Sequence, residues 1–555
     1  MLVAPAPRSF DDFDQRVFQA LVPADHYLKK AAAAIDFERL RPLAADRYSP
    51  DQGRPAIDPV RMVKLLFLVA HYRLDDRAVM ARARTDAAFR WFLGLRLDDP
   101  LPHHTSCTYF RQRLGQEGFE KLFHGLLAQA REHGLLSDKL RLKDATHLYG
   151  AGADLSPTAL AAQLRDHLLT AAAAVLPDLA AAWRSKLEAL RAATAEATPA
   201  ERLAARIAFL RELAGELRAA LAKLPSGSDD RKRKRLEALL ALADKALVDH
   251  AAGKEGKDKL VNAGDPEARL GWHHGYFVGY LLDLAVDAES ELIAAVGVLP
   301  GNGANGAEAA DTLALLDQEQ RHHGNQVEEV SLDGAGHHGG LLRELAARGV
   351  AATAPIPATK PAPGYGAELF TIVEGAAVPT LRCPAGQTTS VSEAKEEHRK
   401  FRFAAATCRA CPQRGECLAK AEQTSGRSVT KNAYQAEYAA AAARAATPAH
   451  AATRAVHPRV ERKHADLVRN HGLRQLRYRG LTGAWVQSFL AASAANVKRI
   501  VKLLALRTAA AARRLGEAAA TVCGVGLGGA GPPLGPKVEK IPGGPNGAAL
   551  RASPG

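Results

Sequence analysis

The chain has 555 residues, 47% of them hydrophobic and 24% charged, which excludes general disorder and points to roughly two to four domains, each able to build a core. Lysine and arginine number 74 against 60 aspartates and glutamates, a formal net charge of +14 that favours a polyanionic partner, most often nucleic acid. No apolar run reaches the ~20 residues that span a bilayer, and MLVAPAPRSFDDFDQ lacks the basic start and apolar core of a signal peptide. The expectation is a cytoplasmic protein, with no membrane partner and with reduced thiols.

Residues 1–137 read as an all-helical domain. In IDPVRMVKLLFLVAHYRL, Asp58 is placed to cap and Pro59 to occupy the first helical position. Asp75 and Asp86 suit the caps of two shorter helices, the second ending at Gly94. TSCTYFRQRLGQEGFEKLFHGLLAQAREHGLL adds a further pair, capped by Thr105 or Ser106. Arginines 82, 84, 111 and 113 suit a compact DNA-binding bundle, although solvated arginines on an ordinary bundle fit nearly as well.

Residues 138–154 contain a strand, LRLKDATHLYGAG. Leu140, Leu142 and Leu148 share a parity with Asp144 and Thr146, so a carboxylate points at the face that should pack on the core. An unpaired buried carboxylate is expensive, which calls for a cation, a hydrogen-bond network or exposure at a strand end. Residues 155–260 are rich in Ala, Leu, Arg and Glu at helical spacing and read as a coiled-coil-like insertion, broken at PSGSDD and restarted by RKRKR (231–235). That basic run is ordinarily a solvated helix start; phosphate contact is the sharper alternative.

Strands resume in 261–360: GYFVGYLLDLAVD, ELIAAVGVLPG, then a helix and VEEVSLDG, which ends on Asp333. A helix, LLRELAARG, and a last short strand, VAATAPIP, come next. Residues 361–445 are irregular, rich in Pro, Gly and Thr, and hold Cys383, Cys408, Cys411 and Cys417. Four thiolates with one C-x-x-C can bind Zn²⁺ tetrahedrally in a closed, structural site; reduced, semi-buried cysteines are the equal alternative. Residues 446–512 read as the C-terminal helical part of the core, and 513–555 as a disordered Gly/Pro-rich tail.

Three acids hold special places in this order: Asp144 within the first strand, Asp333 at the end of the fourth, and Glu461 on the helix HPRVERKHADLVRNHGL. Carboxylates at strand ends and on a facing helix are what two Mg²⁺ ions need for phosphodiester chemistry, with Mn²⁺ able to substitute. Taken singly, each acid could equally be a surface cap or a salt-bridge partner. The histidine doublets 273–274, 322–323 and 337–338 show no ligand spacing and read as polar surface, with His337 near enough to Asp333 in sequence to touch the site.

The chain resembles DDE-type transposases of bacterial insertion sequences. The resemblance rests on YSPDQGRPAIDPVRMVKLLFL, DDRAVMARARTDAAFRWFLGLRLDD and LPHHTSCTYFRQRL near the N-terminus, and on KDATHL, AGDPEARLG, GYFVGYLLDLAVD and SLDGAGHHGGLL in the core. TCRACPQRGECL, VERKHADLVRNHGLRQLRYRGL and AASAANVKRIVKLL complete it. It implies an α/β catalytic core, an RNase H-like mixed sheet flanked by helices, behind an all-α N-terminal domain and interrupted by the helical and Cys-containing insertions. It makes Asp144, Asp333 and Glu461 the catalytic, Mg²⁺-binding acids. It further implies binding of the element's terminal inverted repeats, cleavage and strand transfer into target DNA, a homo-oligomeric synaptic complex, and association with the nucleoid. Where relatives place Tyr, Arg and Lys around the glutamate, this chain has Arg454, His457 and Val468, with Arg459, Lys463 and Arg469 nearby to contact DNA, as Arg111 and Arg113 would from the N-terminal domain. A catalytically inactive DNA-binding relative and a non-transposing nuclease on the same core are the competing readings.

Overall fold

The computed structural model describes residues 10–49, 55–152, 156–224, 230–253, 258–272, 275–303, 307–357, 364–373, 375–395, 397–418 and 424–523. The chain divides into two compact units, 1–503 and 504–555, and the sheet and nearly all of the helices belong to the first. The N-terminal part runs α1 (Asp12–Leu21), α2 (Tyr27–Ala34), α3 (Arg41–Ala45), α4 (Pro59–Tyr72), α5 (Asp76–Thr85), α6 (Ala87–Leu93) and α7 (Thr105–Glu132). Asp58, Asp75 and Asp86 each accept backbone N–H groups at the start of α4, α5 and α6, and Gly94 closes α6 at φ 65°. The pair of helices expected after Gly94 is present as the two halves of α7, which meet at a break where Gly115 leaves helical geometry (φ 58°, ψ −166°); His104 rather than Thr105 or Ser106 takes the cap position. Thr105 is turned instead to the ring of His103, 2.8 Å away.

A mixed sheet comes next, built from β1 (Leu140–Tyr149), β2 (Arg269–Trp272), β3 (Tyr276–Asp287), β4 (Ile293–Pro300), β5 (Glu329–Ser331) and β6 (Ala351–Thr353). β3 pairs antiparallel with β1, β2 and β4; β1 then pairs parallel with β5, and β5 parallel with β6. The short β2 is not legible in the sequence, because Gly271 interrupts any run of strand formers. Between β1 and β2 the chain leaves to make α8 (Pro157–Ala172), α9 (Pro177–Ala193), α10 (Pro199–Ala222) and α11 (Asp230–Ala251). These helices close around their own apolar core, which includes Leu164, Trp183, Leu210, Leu217 and Leu240. α12 (Ala307–His323) lies between β4 and β5, and α13 (Gly339–Ala347) between β5 and β6.

The segment expected to be irregular contains regular structure. β7 (Thr371–Ile372), β8 (Leu381–Arg382) and β9 (Thr388–Thr389) form one three-stranded sheet, and β10 (Ser392–Lys395), β11 (His398–Arg402) and β12 (Ser428–Asn432) another. Short helices α14 (Ala405–Arg409) and α15 (Arg414–Cys417) lie between β11 and β12 in the chain. Phe370, Leu381, Phe401, Phe403 and Val429 are buried together as a small core. Those five residues are spread too thinly along the chain to show as periodicity. The C-terminal helices are α16 (Gln435–Ala445), α17 (Pro448–Val456), α18 (Pro458–His471) and α19 (Gly480–Cys523). α19 runs past residue 512, as the alanine-rich RTAAAARRLGEAAATVC favours; the rest of the expected tail lies outside the described residues, as do His273 and His274. No helix of the described residues is long and apolar enough to cross a membrane.

Candidate active site

The register of the two parallel strands brings the first two acids together. Leu142 pairs with Ser331 at the end of β5, and two residues further along the chain stand Asp144, still within β1, and Asp333, just past the end of β5. β5 ends at Ser331, and the Asp333 side chain turns back to accept N–H groups of Ala335 (3.1 Å) and Gly336 (3.3 Å), capping a short 3₁₀ turn. Asp144 stays in the strand with its side chain 19% exposed. Burial, and then the Asp333 carboxylate beside it, push the Asp144 carboxyl up to about 7.

α18 packs against β1. Val460 and Leu467 are fully buried and set its inner face. From that face His464 donates Nε2–H to the Asp144 carbonyl oxygen at 3.0 Å, with its ring nitrogen 3.8 Å from the Asp144 carboxylate. Glu461 lies in the first turn of α18 and is exposed. Arg454, at the end of α17, links the second and third acids: both Asp333 and Glu461 act on its guanidinium, which donates to the Leu332 carbonyl at 2.6 Å. His457, between α17 and α18, meets the Ser331 hydroxyl at 2.9 Å, and burial holds its ring down to about 4, so it is neutral there. Asp144, Asp333 and Glu461 thus share one neighbourhood, but their oxygens are not all within 4.8 Å of one another.

The other face of β1 departs from simple alternation. Arg141 and Lys143 have the parity that a half-buried strand gives to solvent, yet they are 0% and 2% exposed. Arg141 spans Glu319 of α12 (Nη2–Oε2 2.8 Å) and Asp287 of β3 (Nη1–Oδ1 2.9 Å), and Lys143 pairs with Asp283 of β3 at 2.9 Å. Burial raises the Asp283 carboxyl well above the ordinary range against the pull of Lys143. The strand is covered on both sides, and the sign of it in the sequence is the pair of acids on β3, Asp287 opposite Arg141 and Asp283 opposite Ala145.

The basic residues expected at DNA divide. Arg111 is 7% exposed, bonded through both terminal nitrogens to Asp76 (2.9 and 2.5 Å) and stacked over Tyr478 at 4.4 Å. Lys463 is 7% exposed, and burial lowers its pKa. Both lie on the inner side of their helices, which helical spacing alone does not assign. Arg113 stacks on Tyr48 at 4.2 Å, Arg459 donates to the Ala288 carbonyl at 2.5 Å, and Arg469 is exposed. His337, expected near Asp333, packs its ring 5.1 Å from that of Tyr438.

Cys383, Cys408, Cys411 and Cys417 line one small cavity with Phe370, Phe403 and Arg427. The first stands at a turn after β8, the second on α14, the third in the turn after it and the last on α15. The Arg427 N–H donates to Cys408 Sγ at 3.3 Å. Burial, with the other three cysteines nearby, raises the Cys417 thiol. The four sulfurs are not drawn within 4.8 Å of one another.

Two family models match the chain. One, described as a transposase domain (DUF772), covers residues 16–113, the α1–α7 region through Arg111 and Arg113. The other, a transposase DDE domain, covers residues 382–501, including the four cysteines and Glu461 but neither Asp144 nor Asp333. No curated protein and no solved structure matches. With a transposase domain in its N-terminal helices and a transposase DDE domain toward its C-terminus, the chain is a DDE-type transposase, an enzyme that acts on DNA.

Proposed function

We propose that the chain binds the terminal inverted repeats of an insertion sequence, cleaves there and joins the freed 3′ end to target DNA, with Asp144, Asp333 and Glu461 as its metal-binding acids. The observation that carries this is the Asp144–Asp333 pair: two carboxyls brought together where β5 ends beside β1, one desolvated and raised toward 7 by burial and by the other. Like charges so placed are a standing cost unless a cation lies between them. DDE enzymes use divalent metal ions generally, and a paired carboxylate site with room for water and phosphate oxygens fits Mg²⁺, or Mn²⁺ in its place. The metal would stabilise the attacking and leaving oxygens of an in-line displacement at phosphorus. Antiparallel β4–β3–β1 followed by parallel β5–β6 is the strand arrangement expected of an RNase H-like core.

In this reading each neighbouring residue has a task. His464 fixes the strand at Asp144 through its carbonyl. Arg454 holds the end of β5 and lies between Asp333 and Glu461, where it screens their repulsion. Arg459, Arg469 and Arg113 are the cations left for phosphate, a role that needs positive charge more than one identity. The four cysteines around one cavity suit a structural zinc with no open position. The enzyme works in the nucleoid as a homo-oligomer that pairs two element ends.

The test is purified protein with Mg²⁺ and a labelled duplex carrying the element's end. End-specific nicking and strand transfer are expected, and Asp144→Ala and Asp333→Ala should keep end binding while cleavage falls by about 10³-fold or more, the several kcal/mol that metal-based charge stabilisation supplies. Cleavage by Asp144→Ala at the wild-type rate would sink the assignment. A second reading, an inactive DNA-binding relative, is favoured by the exposure of Glu461 and by carboxylates that are not gathered within ligand distance. Wild-type binding without any cleavage would select it.

A further inference from the structure

Between α7 and α12 stand three histidines and a glutamate. One ligand atom each from Glu120, His124 and His322 lies within 4.8 Å of the others, the one such group among the described residues. His124 is 2% exposed. Its Nδ1 meets His323 Nε2 at 3.0 Å, while its Nε2 is buried without a hydrogen bond. The Gln318 amide, bonded at both ends to the backbone of Val296, also acts on this ring, short of a full hydrogen bond to Nε2. Desolvation of that ring nitrogen is a cost that a bound cation would offset. His322 stacks on His124 with centroids 4.1 Å apart and planes at 11°, and its Nε2 is 2.9 Å from Glu120 Oε1. A cleft lined by Gln116, Glu117, Glu120, Lys121, Arg321 and His322 opens this group to solvent.

We propose that Glu120, His124 and His322 form a binding site for a borderline divalent cation, Zn²⁺ in class, that clamps α7 to α12. The donor set is two imidazoles and one carboxylate, which suits Zn²⁺ with water as a fourth ligand and is distinct from the hard-oxygen set at Asp144 and Asp333. His124 would bind through Nε2 with Nδ1 oriented by His323, the arrangement in which a ligating histidine gives its second nitrogen to a partner. Two parallel rings cannot both aim lone pairs at one ion, so His322, the more exposed, turns on loading. Glu120 also gives up part of its ion pair with Arg321, whose side chain is 62% exposed and free to move into water. α12 leads into β5, so the clamp would tie the N-terminal helices to the strand that precedes Asp333.

The experiment is zinc content per chain of the full-length protein after equilibration with Zn²⁺ and dialysis. His322→Ala and, separately, Glu120→Gln are expected to hold one zinc fewer than the wild type, whether or not the cysteines hold one of their own. Cys408→Ser with Cys411→Ser is expected to retain a zinc whose X-ray absorption shows nitrogen and oxygen neighbours and no sulfur. Both substitutions at the histidine group lie at its solvent side, and circular dichroism shows whether each variant is folded. Wild-type zinc content in folded His322→Ala and Glu120→Gln, or only sulfur-bound zinc in the wild type, overturns the proposal. Neither result bears on the cleavage assay.

Discussion

The helical insertion and the surroundings of β1 are stabilised in opposite ways. α8–α11 bury leucines, alanines, Trp183 and Phe209 against one another and keep most of their charges outside. Around β1 the same chain buries Arg141, Lys143, Asp283, Asp287 and Glu319 in ion pairs threaded through the sheet. A buried pair gives less net stability than apolar packing of equal volume, so its presence needs another reason. Here the ion pairs occupy one face of β1 and Asp144, beside Asp333, the other. A strand whose first face is locked by directional bonds holds the register that keeps the two acids together. The insertion has no acid pair to align and uses packing that tolerates small shifts.

The contrast is broken most sharply at Arg141. Arg141→Ala leaves Glu319 and Asp287 buried without their guanidinium, a loss of about 3–5 kcal/mol in unfolding free energy, read by chemical denaturation of the full chain. Leu210→Ala, at a fully buried position of the insertion, should cost about 2–5 kcal/mol. The two should differ in kind: the insertion variant, assayed below its melting temperature, retains cleavage, and the Arg141 variant loses cleavage even where it is folded. Equal retention by both would show that the ionic face does not position the acids.

A milder probe is pH. The folded Asp144 carboxyl titrates near 7 against an ordinary 3.8, so between those values the folded state holds a proton that the unfolded chain has already released. Stability without metal therefore falls as pH rises from about 4 to about 7, and Asp144→Asn should remove that part of the decline. The sign reverses for Mg²⁺, which needs the ionised form: affinity should climb about tenfold per unit below pH 7 and level off above it. Calorimetric titration at about pH 6, 7 and 8 reads this directly, and a flat profile would mean that Asp144 is already ionised.

How much of this is legible in the sequence follows the same division. The insertion is legible because its apolar residues recur at helical spacing. Asp144 is legible as an anomaly, since its parity contradicts its charge, and Asp333 as the end of a strand followed by glycine. The placement of those two acids together needs the β1–β5 register, which no local pattern contains. Arg141 and Lys143 read as a solvent face because nothing local to β1 shows that α12 and β3 cover it with acids. His464 and Arg454 likewise act across long sequence separations. The histidines at 322–323 have no ligand spacing of their own, and their partners Glu120 and His124 come from α7, far earlier in the chain.

The smallest effect is expected where the insertion meets solvent. RKRKR opens α11, and within it Arg233 is paired with Glu237 at 3.0 Å and Lys234 with Asp230 at 2.5 Å. Arg231 and Arg235 are exposed. A phosphate contact releases counterions and steepens the salt dependence of binding by about 0.9 per contact. A solvated helix start does not. If the insertion is a packing module, the double variant Arg231→Ala, Arg235→Ala keeps end-binding affinity within about twofold and leaves the slope of log K against log salt unchanged. A slope shallower by roughly 0.9 or more would move the insertion from scaffold to DNA contact. The division between a packed module and a charged, aligned core would then hold for their interiors alone.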